Sequence, residues 1–398
     1  MEPSQHPETN LQFPKGFLIG AAASAHQVEG NNANSDWWHF EQMGKLPKSG
    51  LACDHYNRFD DDFGIAQQIG LNAMRISIEW ARIEPEEGKW SAAAIEHYKK
   101  VLRSMKDHGL TRMVTLWHWT LPKWLADKGG FETNEGVEAF ARYAWFVAQN
   151  LGKEVDFWVT LNEPEIYTLL GYKQAIHPPF IRSNYLTYRV MRNLIWAHRA
   201  AFKAIKTVLG DVPVGIAKNS ACYQPFRKNN FLDSFIIFVF RYLDFYLLNR
   251  IHKQLDFIGL NYYFLRKIKF DWRHLYLEMK PNDPLNFSDM GWYLFPEGIY
   301  RVLLNLKKFH KPIYVTENGL ADARDDRRPK FLQDTLFWIN RAIEKKVDVR
   351  GYFYWSLTDN YEWHDGFGPK FGLVAIDYQN LKRTVRPSAK IFKQIFSV

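Results

Sequence analysis

Residues Phe157 to Pro164 read FWVTLNEP: a run of apolar and β-branched residues suited to a buried strand, Phe157 to Leu161, closed by Asn162 and Glu163. The same plan recurs outward in both directions. Towards the amino terminus lie Arg112 to Leu116, Asn72 to Ile76 and Phe17 to Ala22; towards the carboxyl terminus lie Val214 to Ala217, Phe257 to Leu260, Ile313 to Thr316 and Gly351 to Trp355. Helical patterns separate these runs. In the stretch Phe331 to Lys346, Leu332, Leu336, Ile339 and Ile343 fall on one face at spacings of three and four, as a helix packed on a sheet requires. Gly109 and Gly210 stop two other helical stretches shortly before the next strand. Eight strands alternating with helices predict an α/β fold, a single (β/α)8 TIM barrel. No repeat, low-complexity tract or linker marks a second domain, so one barrel domain is expected over residues 13–398, preceded by a flexible polar extension, residues 1–12.

Composition excludes several classes. Of 398 residues 46% are hydrophobic and 24% charged, enough apolar surface for a large core and too much for disorder. The net charge of +9 does not point to nucleic acid, because Lys and Arg are scattered among 43 acidic residues and form no dense basic run. Cys53 and Cys222 fit no metal site or disulfide framework, which suits a reducing compartment. Met1 to Gln12 lacks the charged start and apolar stretch of a signal peptide, so the cytoplasm is the expected location. One segment, Phe231 to Leu248 (FLDSFIIFVFRYLDFYLL), just reaches the length of a membrane span. Asp233, Arg241 and Asp244 are spread through it, so a buried helix is expected rather than a membrane span or a dimer contact.

Barrels of this type carry their active site at the carboxyl ends of the strands, so the polar residues that follow each run are read together. They are Gln27 and Glu29, Arg75 and Glu79, His118 and Trp119, Asn162 and Glu163, Asn261 and Tyr263, Glu317 and Asn318, then Trp355 leading to Glu362 and Trp363. Carboxylates, amides, an imidazole and indoles suit a polyhydroxylated ring: hydroxyls need donors and acceptors together, and flat rings stack on sugar C–H faces. No glycine-rich phosphate cradle and no HExxH metal motif is present. The set therefore describes a pocket for a polyhydroxylated ring rather than for phosphate or metal. Glycosidic cleavage needs one group to protonate the leaving oxygen and one to attack the anomeric carbon, and Glu163 and Glu317 follow strands on opposite sides of the mouth. A separation of about 5 Å between them would make the reaction retaining. Arg75 and the Tyr263 hydroxyl favour an ionised Glu317, the nucleophile; burial and repulsion from Glu317 favour a protonated Glu163, the acid/base. Glu29 and Glu79 are read as structural, each ion-paired within the barrel. By spacing alone Trp119, Trp355 and Trp363 are core residues.

The segments FLIGAAASAHQVEG (Phe17 to Gly30), TLWHW (Thr115 to Trp119), TLNEP (Thr160 to Pro164), GLNYY (Gly259 to Tyr263), TENG (Thr316 to Gly319) and WSLTDNYEW (Trp355 to Trp363) resemble, in order, the motifs of glycoside hydrolase family 1. The resemblance runs from Phe17 to about Phe392. It implies Glu163 as acid/base, Glu317 as nucleophile, and Arg75, Asn261 and Tyr263 as the nucleophile's surroundings. It further implies Gln27, His118, Trp119, Asn162, Glu362 and Trp363 as sugar-binding residues, with Trp355 the stacking platform. It also implies a small β-glycoside or short oligosaccharide as the partner, with no metal and no organic cofactor. A retaining exo-β-glycosidase follows, acting on β-glucosides, β-galactosides or β-fucosides, since Gln27 and Glu362 reach one hydroxyl and such pairs tolerate either epimer. Transfer to alcohols is a further expectation. Relatives acting on 6-phosphorylated sugars replace the Glu of the last motif, and plant thioglucosidases replace the acid/base with Gln; Glu362 and Glu163 depart from both. A 6-phospho-β-glycosidase and a sugar-binding protein without turnover are the alternatives. Between Glu163 and Asn261 the chain is roughly thirty residues shorter than typical members, which implies reduced loops on the aglycone side and a simplified fifth unit.

Overall fold

A computed structural model of the protein describes residues 11–280 and 286–396. Eight parallel strands close into a barrel in chain order: Leu18–Ala22, Ala73–Ser77, Thr111–Trp117, Phe157–Asn162, Val214–Asn219, Phe257–Asn261, Ile313–Asn318 and Val349–Trp355. The first pairs with both the second and the eighth. Each of the eight sequence runs becomes one of these strands, and the fold is the expected (β/α)8 barrel. The strands are buried on both faces, which is why they read as near-continuous apolar runs rather than alternating ones.

One buried cluster takes a side chain from every strand: Ala22, Ala73, Met113, Val159, Ala217, Phe257, Tyr314 and Phe353. Strands opposite one another touch only through the interior, so this cluster fills the barrel. Outside, the helices Ala92–Asp107, Asn134–Leu151, Asn184–Leu209, Glu297–Leu306 and Arg328–Glu344 lay their apolar stripes on the strands and join the larger core. Two helices end as anticipated, with Gly109 and Gly210 at φ of 70°.

Register then brings the polar strand ends side by side. Asn261 lies beside Asn219 on one neighbouring strand and beside Glu317 on the other, while Asn162 lies beside Ala217. Gly319, just past Glu317, is required by close approach, because a Cβ there would overlap the carbonyl oxygen of Trp355.

Two expectations change. The apolar segment Phe231 to Leu248 is not a buried helix: it forms the helices Phe231–Asp244 and Tyr246–Ile251, and most of the first lies outside the core. The reason is its support. The first helix packs on a small sheet of Cys222–Pro225, Leu265–Asp271 and Leu275–Met279, through Ile236 and Ile237 against Ile268, and no second layer covers its other side among the described residues, whereas Leu247 and Leu248 of the second are buried in the main core. The helix and the strand Cys222–Pro225 follow the fifth barrel strand, and the other two strands of the small sheet follow the sixth. The flexible extension proposed for residues 1–12 lies outside the described residues up to position 10. Leu11 packs against the core, and the carbonyl of Gln12 accepts a hydrogen bond from Asn340 at 2.5 Å.

The stripe on Arg328–Glu344 tests how the outer layer is held. Leu332, Leu336 and Ile339 are fully buried in it. Leu336→Ala is expected to lower unfolding stability by about 2–5 kcal/mol, as core truncations of this size do, measured by urea unfolding. A loss under about 0.5 kcal/mol, the range of a surface change, would show that the stripe does not bear on the barrel.

Candidate active site

The ends of the second to seventh strands contribute to one buried network centred on Arg75, which is 1% exposed. Its Nε donates to Thr115 Oγ1 at 3.0 Å, one terminal nitrogen to Glu317 Oε1 at 2.5 Å, and the other to Asn162 Oδ1 at 2.7 Å. The Tyr263 hydroxyl donates to the other oxygen of Glu317 at 2.7 Å. Both carboxylate oxygens of Glu317 thus face donors that favour the charged form.

Glu163 has a different setting. Its Oε1 accepts from Asn219 Nδ2 and Asn261 Nδ2, each at 2.9 Å, and among the described residues no cation pairs with it. Burial, reinforced by the negative charge of Glu317, pushes its carboxyl up to about 8. Burial also raises Glu317, but there Arg75 and Tyr263 oppose the shift. The two carboxyls, similar in sequence context, are separated by what surrounds them.

Asn162 ties the cation to the sugar-facing side. Its oxygen is occupied by Arg75 and by Asn261 Nδ2 at 3.2 Å, so its amide nitrogen points to His118 Nε2 at 3.0 Å. His118 therefore accepts through Nε2, and Nδ1 is left buried without a protein partner among the described residues. Burial, with Arg75 nearby, holds this imidazole well below its usual range, so it is neutral with a donor to spare. Trp119 Nε1 donates to the carbonyl of Asn162 at 3.1 Å. Rings close the floor: His118 stacks 5.8 Å from Trp355 and 6.0 Å from Trp363, and Trp119 sits 4.8 Å from Trp363. Gln27 Nε2 donates to the Tyr361 carbonyl at 2.9 Å and lies 3.4 Å from Glu362 Oε2. Glu362 is pushed up to about 8 by burial and by Glu317.

The profile of glycosyl hydrolase family 1 matches residues 9–235 and 244–398. The chain belongs to glycosyl hydrolase family 1. It is 32% identical to beta-glucosidase A of Thermotoga maritima, over 96% of this chain and 97% of that one. It is 33% identical to a beta-galactosidase of Sulfolobus acidocaldarius, over 97% and 95%. Its fold superposes on the solved beta-glycosidase of Pyrococcus horikoshii with a TM-score of 0.92 at 38% identity, covering 97% of this chain and 95% of that one. The protein is a glycoside hydrolase.

The structure draws all twelve residues singled out for this family 1 site into the one mouth. Three of them have left-handed backbone: Glu163 at φ 43°, Trp119 at 78° and Trp363 at 52°. Non-glycine residues held there store roughly 1–3 kcal/mol each, kept only where surroundings enforce the conformation. Asn219 has no counterpart in the sequence reading, which ends the fifth strand at Ala217; yet AKNS, Ala217 to Ser220, repeats the signal of an apolar run closed by Asn. Asn360, which accepts from Gln27 Nε2 at 3.1 Å, hides inside the WSLTDNYEW motif. Of the two carboxylates read as structural, Glu29 does pair with Arg82 at 2.7 Å. Glu79 does not: among the described residues it has no ion pair, accepts from Thr120 Oγ1 at 2.9 Å and from the Ala81 amide, and is pushed up to about 7 by burial.

A raised carboxyl makes stability depend on pH with a definite sign. The protonated Glu163 is tolerated at no cost below its ordinary value of 4.5, and the folded state loses stability as pH rises through about 8. Glu163→Gln keeps an oxygen for both Asn donors and cannot ionise. It is expected to match the wild type near pH 4 and exceed it by roughly 1–3 kcal/mol near pH 9, read by denaturant unfolding across that range. A difference that does not change with pH would contradict the burial of an uncompensated carboxyl.

Proposed function

We propose that this family 1 hydrolase is a retaining exo-β-glycosidase for β-glucosides, β-galactosides or β-fucosides, with residues 13–398 as its catalytic unit. Glu317 is the nucleophile and Glu163 the acid/base. The reading is carried by the opposed environments of these two buried carboxyls: one held ionised by Arg75 and Tyr263, the other without a cation and pushed up to about 8.

In the first step Glu317 attacks the anomeric carbon as Glu163 gives its proton to the departing glycosidic oxygen, and the aglycone leaves as an alcohol. The glycosyl-enzyme ester removes the negative charge of Glu317. The repulsion that helped keep Glu163 protonated disappears with it, so the now ionised Glu163 takes a proton from water as that water attacks the same carbon. The sugar leaves with its original configuration, Glu317 is again a carboxylate, and Glu163 is again an acid. An alcohol in place of water gives transglycosylation. Trp355 supplies the apolar platform, His118 Nδ1 a neutral donor, and Gln27 with Glu362 a pair that offers donor and acceptor to one hydroxyl. Glu362 stands where the motif of relatives acting on 6-phosphorylated sugars has a smaller residue, which favours plain glycosides. The two cysteines, Cys53 and Cys222, are buried and free, in keeping with action in the reducing cytoplasm.

Azide separates the two roles. Glu317→Ala should lower turnover of a nitrophenyl β-glucoside by about 10,000-fold or more, and added azide should restore it with the α-glycosyl azide as product. Glu163→Ala should spare glycosylation by substrates with good leaving groups while costing about 100- to 10,000-fold on poor ones; azide should then yield the β-azide. The reverse stereochemical pattern would exchange the assignments. No turnover by the wild type, with sugar binding retained, would defeat the proposal altogether.

A further inference from the structure

The helix Phe231–Asp244 turns Ile236 and Ile237 to its supporting sheet and leaves the opposite face bare. Phe231, Phe235, Phe238, Tyr242 and Leu243 are between 52 and 78% exposed. Trp272, in the turn that joins the two longer strands of the sheet, is 86% exposed and continues this edge. The turn is tied to the start of the helix, because the Phe270 amide donates to Asp233 at 2.8 Å and the Phe270 ring meets Trp272 edge-on at 4.8 Å. Scattered exposed aromatics need no explanation, whereas a contiguous set on one helix face does. The family profile passes over residues 236–243 of this helix.

Among the described residues the unpaired charges around the face are of one sign. Lys228 lies in the loop leading into the helix, Arg241 on the helix between Phe238 and Tyr242, and Arg273 beside Trp272; all three are exposed and make no ion pair among the described residues. The carboxylates nearby are already engaged, Asp233 by Arg227 at 2.5 Å, Asp244 by Lys218 at 2.7 Å and Asp271 by His274 at 3.0 Å. In a two-fold pairing each copy would offer this same patch to the other, setting unpaired cations against unpaired cations with no free carboxylate to answer them. An anionic lipid surface answers both features: phosphates for the cations, and the headgroup boundary for Phe, Tyr and Trp rings.

We propose that this face docks the enzyme on an anionic membrane surface, with the helix lying in the plane of the interface. The attachment is peripheral and reversible; among the described residues no helix is long and apolar enough to cross a membrane.

Sedimentation of the full chain with vesicles tests this. Vesicles of phosphatidylcholine with roughly a third phosphatidylglycerol should carry the protein down at least about tenfold more strongly than phosphatidylcholine alone. Raising salt from about 0.1 M to about 1 M, which shortens the Debye length from about 10 to about 3 Å, should release most of it. The double variant Phe235→Ser with Phe238→Ser, whose melting by circular dichroism should be unchanged, should lose about tenfold in partitioning. Arg241→Glu should weaken binding to the anionic vesicles alone. Equal partitioning of wild type and both variants overturns the proposal. So does a wild-type dimer, seen by light scattering, that the double variant converts to monomer while neither binds vesicles.

Discussion

A guanidinium cannot shed its charge, and Arg75 sits where almost no water reaches it. Everything around it answers that constraint. Glu317 supplies the counter-charge, Thr115 and the Thr316 carbonyl take further donors, and the Asn162 oxygen completes the set. Because the oxygen of Asn162 is spent on Arg75, its amide nitrogen turns to His118, and the imidazole in turn is left with Nδ1 buried and without a protein partner among the described residues. One cation thereby orients residues from three other barrel strands and the loop after the third. Removing one partner of such a pair leaves a buried charge unanswered, at about 3–5 kcal/mol, so the geometry is strongly enforced.

A second consequence is the inequality of the carboxyls. Glu163, Glu317 and Glu362 share the mouth, and only one guanidinium serves them. Glu317 holds it, while Glu163 and Glu362 are pushed up to about 8 by burial and by Glu317 itself. On the proposed roles, acid and nucleophile are distinguished by a single ion pair, and an ester at Glu317 would change the proton affinity of Glu163. The left-handed backbone at Glu163, Trp119 and Trp363 belongs to the same arrangement, since the barrel rim holds these side chains inward at some expense of local conformation.

Much of this was legible from residues alone because two signals coincide in a parallel barrel. Strands buried on both faces must be apolar throughout, so Phe157 to Leu161 or Ile313 to Thr316 are conspicuous, and the first polar residue past each, such as Asn162 or Glu317, has to lie at the rim. Where the coincidence weakens, so does the reading. Lys218 sits inside the fifth strand, buried against Asp244 and Ser220, and breaks the apolar run two residues early, which conceals Asn219. Glu79 misleads because burial of a carboxyl can be met by Thr120 and a backbone amide as well as by a cation. The segment Phe231 to Leu248 misleads for a deeper reason: apolar content states what a helix could bury, whereas burial depends on a second layer that no local pattern reveals.

That helix and the catalytic mouth are nonetheless one construction. Lys218 holds Asp244 at the helix end, and its neighbour Asn219 reaches Glu163, so the helix rests on the strand that supports Glu163. Whether Glu163 and Glu317 act by double displacement is read most directly from the anomer first released. Proton NMR of a nitrophenyl β-glucoside hydrolysate, recorded before mutarotation, should show β-glucose accumulating ahead of the α-anomer. Initial release of α-glucose would contradict the assignment of Glu317 as the nucleophile.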